Sequence, residues 1–339
     1  MKKISKLRLL YCFWLFSSRH YLNFEGTIRP KDDFTPESEA LRLHEAFKGL
    51  GTDEKVIIDV LGSHSNAQRQ EIKDKYVTIF GKDLNKDLKS ELGGHFLQLC
   101  LALMTPSHFY DAQCVRNAMK GLGTDESCLI EMICTKSNSQ INLMKQAYEV
   151  LHGRSLTADV ESDTSGNFRR LLVSLLNAGR EERKTDVNVS QAKLDAIKLS
   201  EAEGLHWTAD DSTFNRVICL RSRPQVIAIF DAYKRRNKQD IETAIRKQFS
   251  GDLRDGLIAC VKTITNAPKY YAGVLQQTFR GPGTDDETLI RIIVSRSEVS
   301  SMLIKDEYQK QFKRTLASAI RSDCSGDYMR LLLKIVGEE

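Results

Sequence analysis

Six prolines and twenty glycines are all that 339 residues contain. So small a supply of turn residues excludes a loop-rich β-protein and favours helices. Eight cysteines are present (Cys12, Cys100, Cys114, Cys128, Cys134, Cys219, Cys260, Cys324), but no two form a CxxC pair. In a chain with 41% hydrophobic residues, they read as buried thiols in a reducing compartment rather than as a disulfide framework. HExxH, GxSxG and the P-loop phrase are absent, and the seven histidines form no ligand-spaced cluster. The expectation is therefore a non-enzymatic protein. Strong charge of one sign is missing too. Of the net +5, residues 1–25 supply +4, which leaves +1 on the other 314. No field for nucleic acid follows from that. The apolar run LLYCFWLFSS is too short to span a bilayer as a helix.

What the sequence does have is repetition. KGLGTDE stands at Lys48–Glu54 and again at Lys120–Glu126. From Gly51 the phrase recurs at Gly123, in degraded form at Thr208, and as GPGTDDE at Gly283, in steps of 72, 85 and 75. Tyr76, Tyr148, Tyr233 and Tyr308 keep the same steps, as do Gly94, Gly166, Gly251 and Gly326. Self-similarity of this kind defines an array of like units. The units are assigned to residues 35–103, 107–175, 192–260 and 267–335, with a charged linker at 176–191, a lead-in at 26–34 and an atypical extension at 1–25. Six, seven, nine and ten residues after each marker the side chains are mostly large and apolar: Ile57, Ile58, Val60, Leu61, then Leu129, Ile130, Met132, Ile133, then Leu289, Ile290, Ile292, Ile293, with Phe214, Val217 and Ile218 in the third unit. That spacing draws one helix face. No segment alternates like a strand, so the predicted fold class is all-α, each unit a packet of short helices.

In GLGT the two glycines permit backbone conformations that a side chain forbids, so successive carbonyls can turn toward one point. The Thr that follows is expected to cap the next helix, with acidic residues in its first turn. One such phrase alone reads as a tight helix–helix turn. Its recurrence with carboxylates points further. Forty residues after Gly51, Gly123 and Gly283 stand Glu91, Asp163 and Asp323. Calcium takes about six to eight oxygens, and three carbonyls plus one bidentate carboxylate give about five, leaving room for water or a phosphate. The third unit is a control: Thr208 and Ala209 replace the glycine phrase and Gln248 replaces the acid. A ligand pair predicts that joint loss; a merely structural turn does not.

The phrase KGxGTDE, an acid forty residues on, and four copies of a unit of about 70 residues resemble the annexin family, over nearly everything from Gly26 to the end. The resemblance implies five short helices per repeat, a curved disc of four repeats, and calcium sites on its convex face that dock onto phospholipid headgroups. It places the first site on the carbonyls of Phe47, Gly49 and Gly51 with the carboxylate of Glu91. Met119, Gly121, Gly123 and Asp163 make the second, and Phe279, Gly281, Gly283 and Asp323 the fourth. Trp207, in the third loop, stands where this family can present a Trp to the membrane, although packing inside a site-less repeat is an equal alternative. His64 and Lys136 occupy positions where the family often has Arg, as at Arg221 and Arg296, which leaves local ion pairs open. The basic run YKRRNK at Tyr233–Lys238 reads first as a solvated helix–helix loop and second as a contact for anionic lipid, acidic polysaccharide or a filament.

Residues 1–25 fit nothing in that pattern. Basic residues followed by an apolar run imitate a secretory signal, yet no small-x-small cleavage site follows. A translation start assigned too far upstream, a tail that attracts membrane or protein partners, and a working signal all remain open. The sequon at Asn188 matters only in the last case. The expected function is calcium-dependent binding to anionic phospholipid membranes by a cytoplasmic protein that becomes peripheral on membranes as calcium rises, with Ca2+ as the only cofactor and a role in membrane organisation, trafficking or repair. The alternative is a helical-repeat scaffold for protein partners, with calcium incidental.

Overall fold

The computed structural model describes residues 25–49, 51–204, 212–281 and 283–338, and among them nineteen helices and no strand. The first repeat runs through α1 (Pro36–Ala46), α2 (Glu54–Ser63), α3 (Asn66–Phe80), α4 (Leu84–Glu91) and α5 (Gly94–Leu103). In the second follow α6 (Ser107–Ala118), α7 (Glu126–Cys134), α8 (Asn138–His152), α9 (Leu156–Asp163) and α10 (Gly166–Leu176). The third has α11 (Val189–Gly204), α12 (Ser212–Leu220), α13 (Arg223–Asn237), α14 (Ile241–Gln248) and the start of α15 (Gly251–Thr278). α15 is two helices joined across a kink at Asn266, where φ is −153° and ψ 90° and Pro268 follows. Pro lacks an N–H and disfavours helical continuation through the preceding turn, which explains the break. Beyond it come α16 (Asp286–Arg296), α17 (Ser301–Phe312), α18 (Leu316–Asp323) and α19 (Gly326–Ile335). Counted on either side of the kink, each repeat has five helices, as the resemblance implies.

Local chemistry sets these boundaries. α3 and α8 open on Ser65 and Ser137 in reciprocal capping boxes with Gln68 and Gln140, and both end on a left-handed glycine, Gly81 at φ 65° and Gly153 at φ 68°. The apolar residues six, seven, nine and ten after each marker are all buried, so the predicted helix face is the core face. Full burial of each such side chain stabilises by about 1.5–3 kcal/mol before chain entropy is subtracted. The four marker tyrosines are wholly buried. A buried phenol must find a partner, and Tyr76 donates to Asp87 at 2.6 Å, Tyr148 to Asp159 at 2.6 Å and Tyr308 to Gln276 at 2.6 Å. Burial together with the Asp159 carboxylate pushes the Tyr148 hydroxyl up to about 12.

The chain divides into two compact units, residues 1–107 with 271–339, and residues 108–270. In the first, α2 packs on α19 and α5 packs on α16. The lead-in is fixed to the fourth repeat by Thr27, whose N–H donates to Ser297 O at 2.8 Å and whose hydroxyl donates to Ile335 O at 2.5 Å. Gly26 is required there, because a Cβ would lie 2.5 Å from the Glu298 carbonyl carbon. Arg69, 1% exposed, donates to the carbonyls of Leu103, Leu61 and His64 and lies 3.3 Å from Glu298.

In the second unit a continuous apolar core runs through Met132, Met144, Leu172, Val217, Ile229, Ile245 and Cys260. The predicted linker is pinned at several points: Asn138 donates to Arg180 O at 2.7 Å, and Glu181 N–H to Leu220 O at 2.9 Å. Its last three residues belong to α11, which opens at Val189. Cys100, Cys128, Cys134, Cys219 and Cys260 are buried free thiols, whereas Cys114 and Cys324 are half-buried. Cys12 lies outside the described residues.

The positions left open for ion pairs resolve differently in each repeat. Lys136 meets Asp111 at 2.7 Å with both side chains buried, and Arg221 meets Asp195 at 3.0 Å. Arg296 lies over the Tyr271 ring, 4.8 Å from its centroid. His64 forms no such pair; its Nδ1 is 2.8 Å from Val60 O and burial holds its pKa below the usual range. The basic run forms the last turn of α13, with Tyr233 buried and Lys234, Arg235, Arg236 and Lys238 exposed.

Candidate metal centres

In repeats one, two and four a loop of the same build joins the first helix to the second. The chain leaves the first helix at Phe47, Met119 or Phe279 and passes through two left-handed glycines: Gly49 and Gly51 at φ 103° and 96°, Gly121 and Gly123 at 109° and 88°, Gly281 and Gly283 at 102° and 91°. With a Cβ this region is costly, so glycine is needed at all six places. Each loop closes by one backbone hydrogen bond: Asp53 N–H to Ala46 O at 2.9 Å, Asp125 to Ala118 at 2.8 Å, Asp285 to Thr278 at 3.0 Å.

That closure leaves the inner carbonyls unengaged. Among the described residues none donates to the carbonyls of Phe47, Gly49, Gly51, Met119, Gly121, Gly123, Phe279, Gly281 or Gly283. These are the nine carbonyls that the resemblance assigns to calcium. A hard, oxygen-seeking cation suits such a donor set. No group of three or more His, Cys, Asp or Glu side chains capable of holding a metal occurs among the described residues. The donor set is thus one acid and several backbone oxygens, which favours calcium over zinc.

The cap of the second helix differs from the expectation. Asp53, Asp125 and Asp285, not the preceding threonines, are the N-caps; each carboxylate accepts from the backbone N–H three residues on. The threonines are used elsewhere. Thr52 donates to the Glu91 carboxylate at 3.1 Å, Thr124 to that of Asp163 at 2.8 Å, and Thr284 to the main-chain carbonyl of Asp323 at 3.3 Å. Each loop is thereby joined to the residue that bears the distant acid, at the last position of α4, α9 or α18. The sequence carried a signal for this role: the third repeat, which lacks the acid, has Ala209 where the threonine is expected. Gln248 ends α14 there, while Trp207, Thr208 and Ala209 lie outside the described residues. Leu122, between the two glycines of the second loop, is fully exposed.

The Annexin family profile matches residues 38–103, 110–175, 195–260 and 270–335. Annexin A11 of Homo sapiens is 46% identical over 312 residues, 92% of this chain and 62% of that protein. The chain therefore spans about three fifths of the length of that relative. Among solved structures, annexin III superposes with a TM-score of 0.91 at 41% identity, covering 95% of this chain and all of that one. A calcium-bound annexin (Sm)1 superposes with a TM-score of 0.84 at 30% identity, covering 93% and 94% of the two chains. The chain belongs to the annexin family, whose members are in general non-enzymatic, calcium-dependent phospholipid-binding proteins. No helix among the described residues is long and apolar enough to cross a membrane.

Proposed function

We propose that this chain binds anionic phospholipid membranes through calcium held in three loops, and that it does so as a cytoplasmic protein that becomes peripheral on membranes when calcium rises. The observation that carries this reading is the threefold coincidence of free loop carbonyls with an acid joined to the same loop by a threonine. Each ion would take carbonyl oxygens from the loop and one carboxylate, Glu91, Asp163 or Asp323. A lipid phosphate would complete the shell.

With one protein carboxylate per ion, affinity without lipid is expected to be weak, about 10⁻⁴ to 10⁻³ M. Lipid and calcium then reinforce one another by linkage, and several sites engaging one surface add avidity. Leu122 adds an apolar contact at the second loop. The role served is membrane organisation, trafficking or repair.

The test is sedimentation of the full chain with phosphatidylserine vesicles across a calcium titration. Binding is expected to be reversible with chelator and lost in the E91A, D163A, D323A triple variant. If the triple variant binds as well as the parent, calcium acts elsewhere and these loops are not the sites. If the parent does not bind at millimolar calcium, the reading of the chain as a helical scaffold for protein partners replaces this one.

A further inference from the structure

His95 stands four residues after Glu91, near the start of α5. Its Nε2 lies 3.3 Å from Asp286 Oδ2, and Asp286 opens α16 three residues after Gly283. One side chain therefore spans from the acid-bearing corner of the first metal centre to the glycine loop of the fourth, within a single compact unit. At the matching position the other repeats have Asn167, Asp252 and Asp327, so the histidine is specific to the repeat whose α5 packs on α16.

Its Nδ1 lies 3.0 Å from Gln98 Oε1, so both ring nitrogens are engaged. The groups that surround it are Asp286 from α16, Tyr328 from α19, whose ring centroid is 5.6 Å away, and Gln98 on its own helix. Glu91, at the end of the neighbouring α4, belongs to the metal centre itself.

We infer that His95 is a positioning residue: its bond to Asp286 ties the Glu91 corner to the Gly283 loop, so that the calcium centres of the first and fourth repeats are organised together. This rests on the calcium reading given above. Because Asp286 is separated by three residues from the loop carbonyl of Gly283, and His95 by four from Glu91, the tie fixes the two corners without occupying a ligand position.

The test is the calcium midpoint for binding of the full chain to phosphatidylserine vesicles. H95Q is expected to raise it two- to fivefold, with thermal stability in chelator unchanged. In the D163A background the same factor is expected; in the E91A or D323A background it should vanish, because one of the two centres that the tie links is then missing. An equal factor in all three backgrounds would overturn the inference. A second readout is the partner side chain: D286N is expected to raise the midpoint by the same factor as H95Q, and H95Q D286N by no more than either alone, whereas multiplying factors would overturn the tie. Failure of the parent to bind vesicles at any calcium level would count against the membrane reading. The same series would then be read by calorimetry with calcium alone, where an H95Q affinity equal to the parent's would overturn the tie.

Discussion

A hydroxyl decides more at these loops than its place in the sequence suggests. Thr124 donates to the Asp163 carboxylate at 2.8 Å, and in doing so it fixes the acid against the loop whose carbonyls would share the proposed ion. A hydrogen bond to a charged group contributes about 1.5–3 kcal/mol, part of which water restores when the hydroxyl is removed. T124A, read in the E91A, D323A background where only the second centre remains, is expected to raise the calcium midpoint about three- to tenfold, roughly 0.7–1.4 kcal/mol. Folding stability should hardly move, and an unchanged midpoint would remove Thr124 from the centre. A different residue-scale effect concerns Lys313. It ends α17 in the left-handed conformation at φ 58°, where the matching residues of the first two repeats are Gly81 and Gly153. Its side chain makes no ion pair among the described residues. K313G relieves that conformation but frees the unfolded chain, so the two terms compete; relief is expected to win by up to about 0.5–1 kcal/mol, seen as a higher Tm.

Between helices, the polar link of Arg69 does what apolar packing alone cannot: it selects which turn α3 meets. Its guanidinium satisfies three carbonyls at the end of α2 and α5 and faces Glu298, in the turn between α16 and α17. R69M would keep the volume but leave the carbonyls of Leu61 and His64 without the guanidinium and Glu298 with only the Asn66 N–H as donor. Breaking one side of a buried pair costs about 3–5 kcal/mol, so a urea midpoint far below the parent's is expected, with partial recovery in R69M E298M. Equal stability of R69M and the parent would reduce the pair to decoration. This link was invisible in the sequence because 229 residues separate its members. Periodic features were legible: the buried face of Ile57, Ile58, Val60 and Leu61, the glycine breaks at Gly81 and Gly153, and the glycine phrase with an acid forty residues on follow from spacing within a repeat, whereas the nine loop carbonyls rest on the resemblance to the family. What spacing could not show was how one repeat meets another, as at His95 and Asp286, or which of two adjacent residues caps a helix. Thr52 and Asp53 are both good caps by propensity, and the choice fell to Asp53 because the distant Glu91 claims the threonine hydroxyl.

For the molecule as a whole, pH reports how far its two units fold as one. Burial holds His64 in the first unit and His108 in the second below the ordinary histidine pKa. A depressed base contributes stability that is complete above its unfolded value, near 6.5, and is lost as pH falls toward the folded value. Each such group steepens the loss by at most about 1.4 kcal/mol per pH unit. Glu298 acts in the opposite sense, since burial raises its carboxyl pKa and the folded state takes up that proton first. Two depressed histidines act against one raised carboxyl, so the net expectation is a lower urea midpoint at pH 5.5 than at pH 7.5. Neither ring nitrogen of His108 has a hydrogen-bond partner among the described residues, so H108L removes the proton-linked loss without orphaning a partner. If the units unfold together, H108L should shift the single transition upward at pH 5.5 and leave it almost unchanged at pH 7.5. If they unfold separately, two transitions should appear and H108L should move only the one belonging to residues 108–270. A shift of equal size at both pH values would mean that the substitution acts through packing, and that burial of His108 is not what makes the protein sensitive to acid.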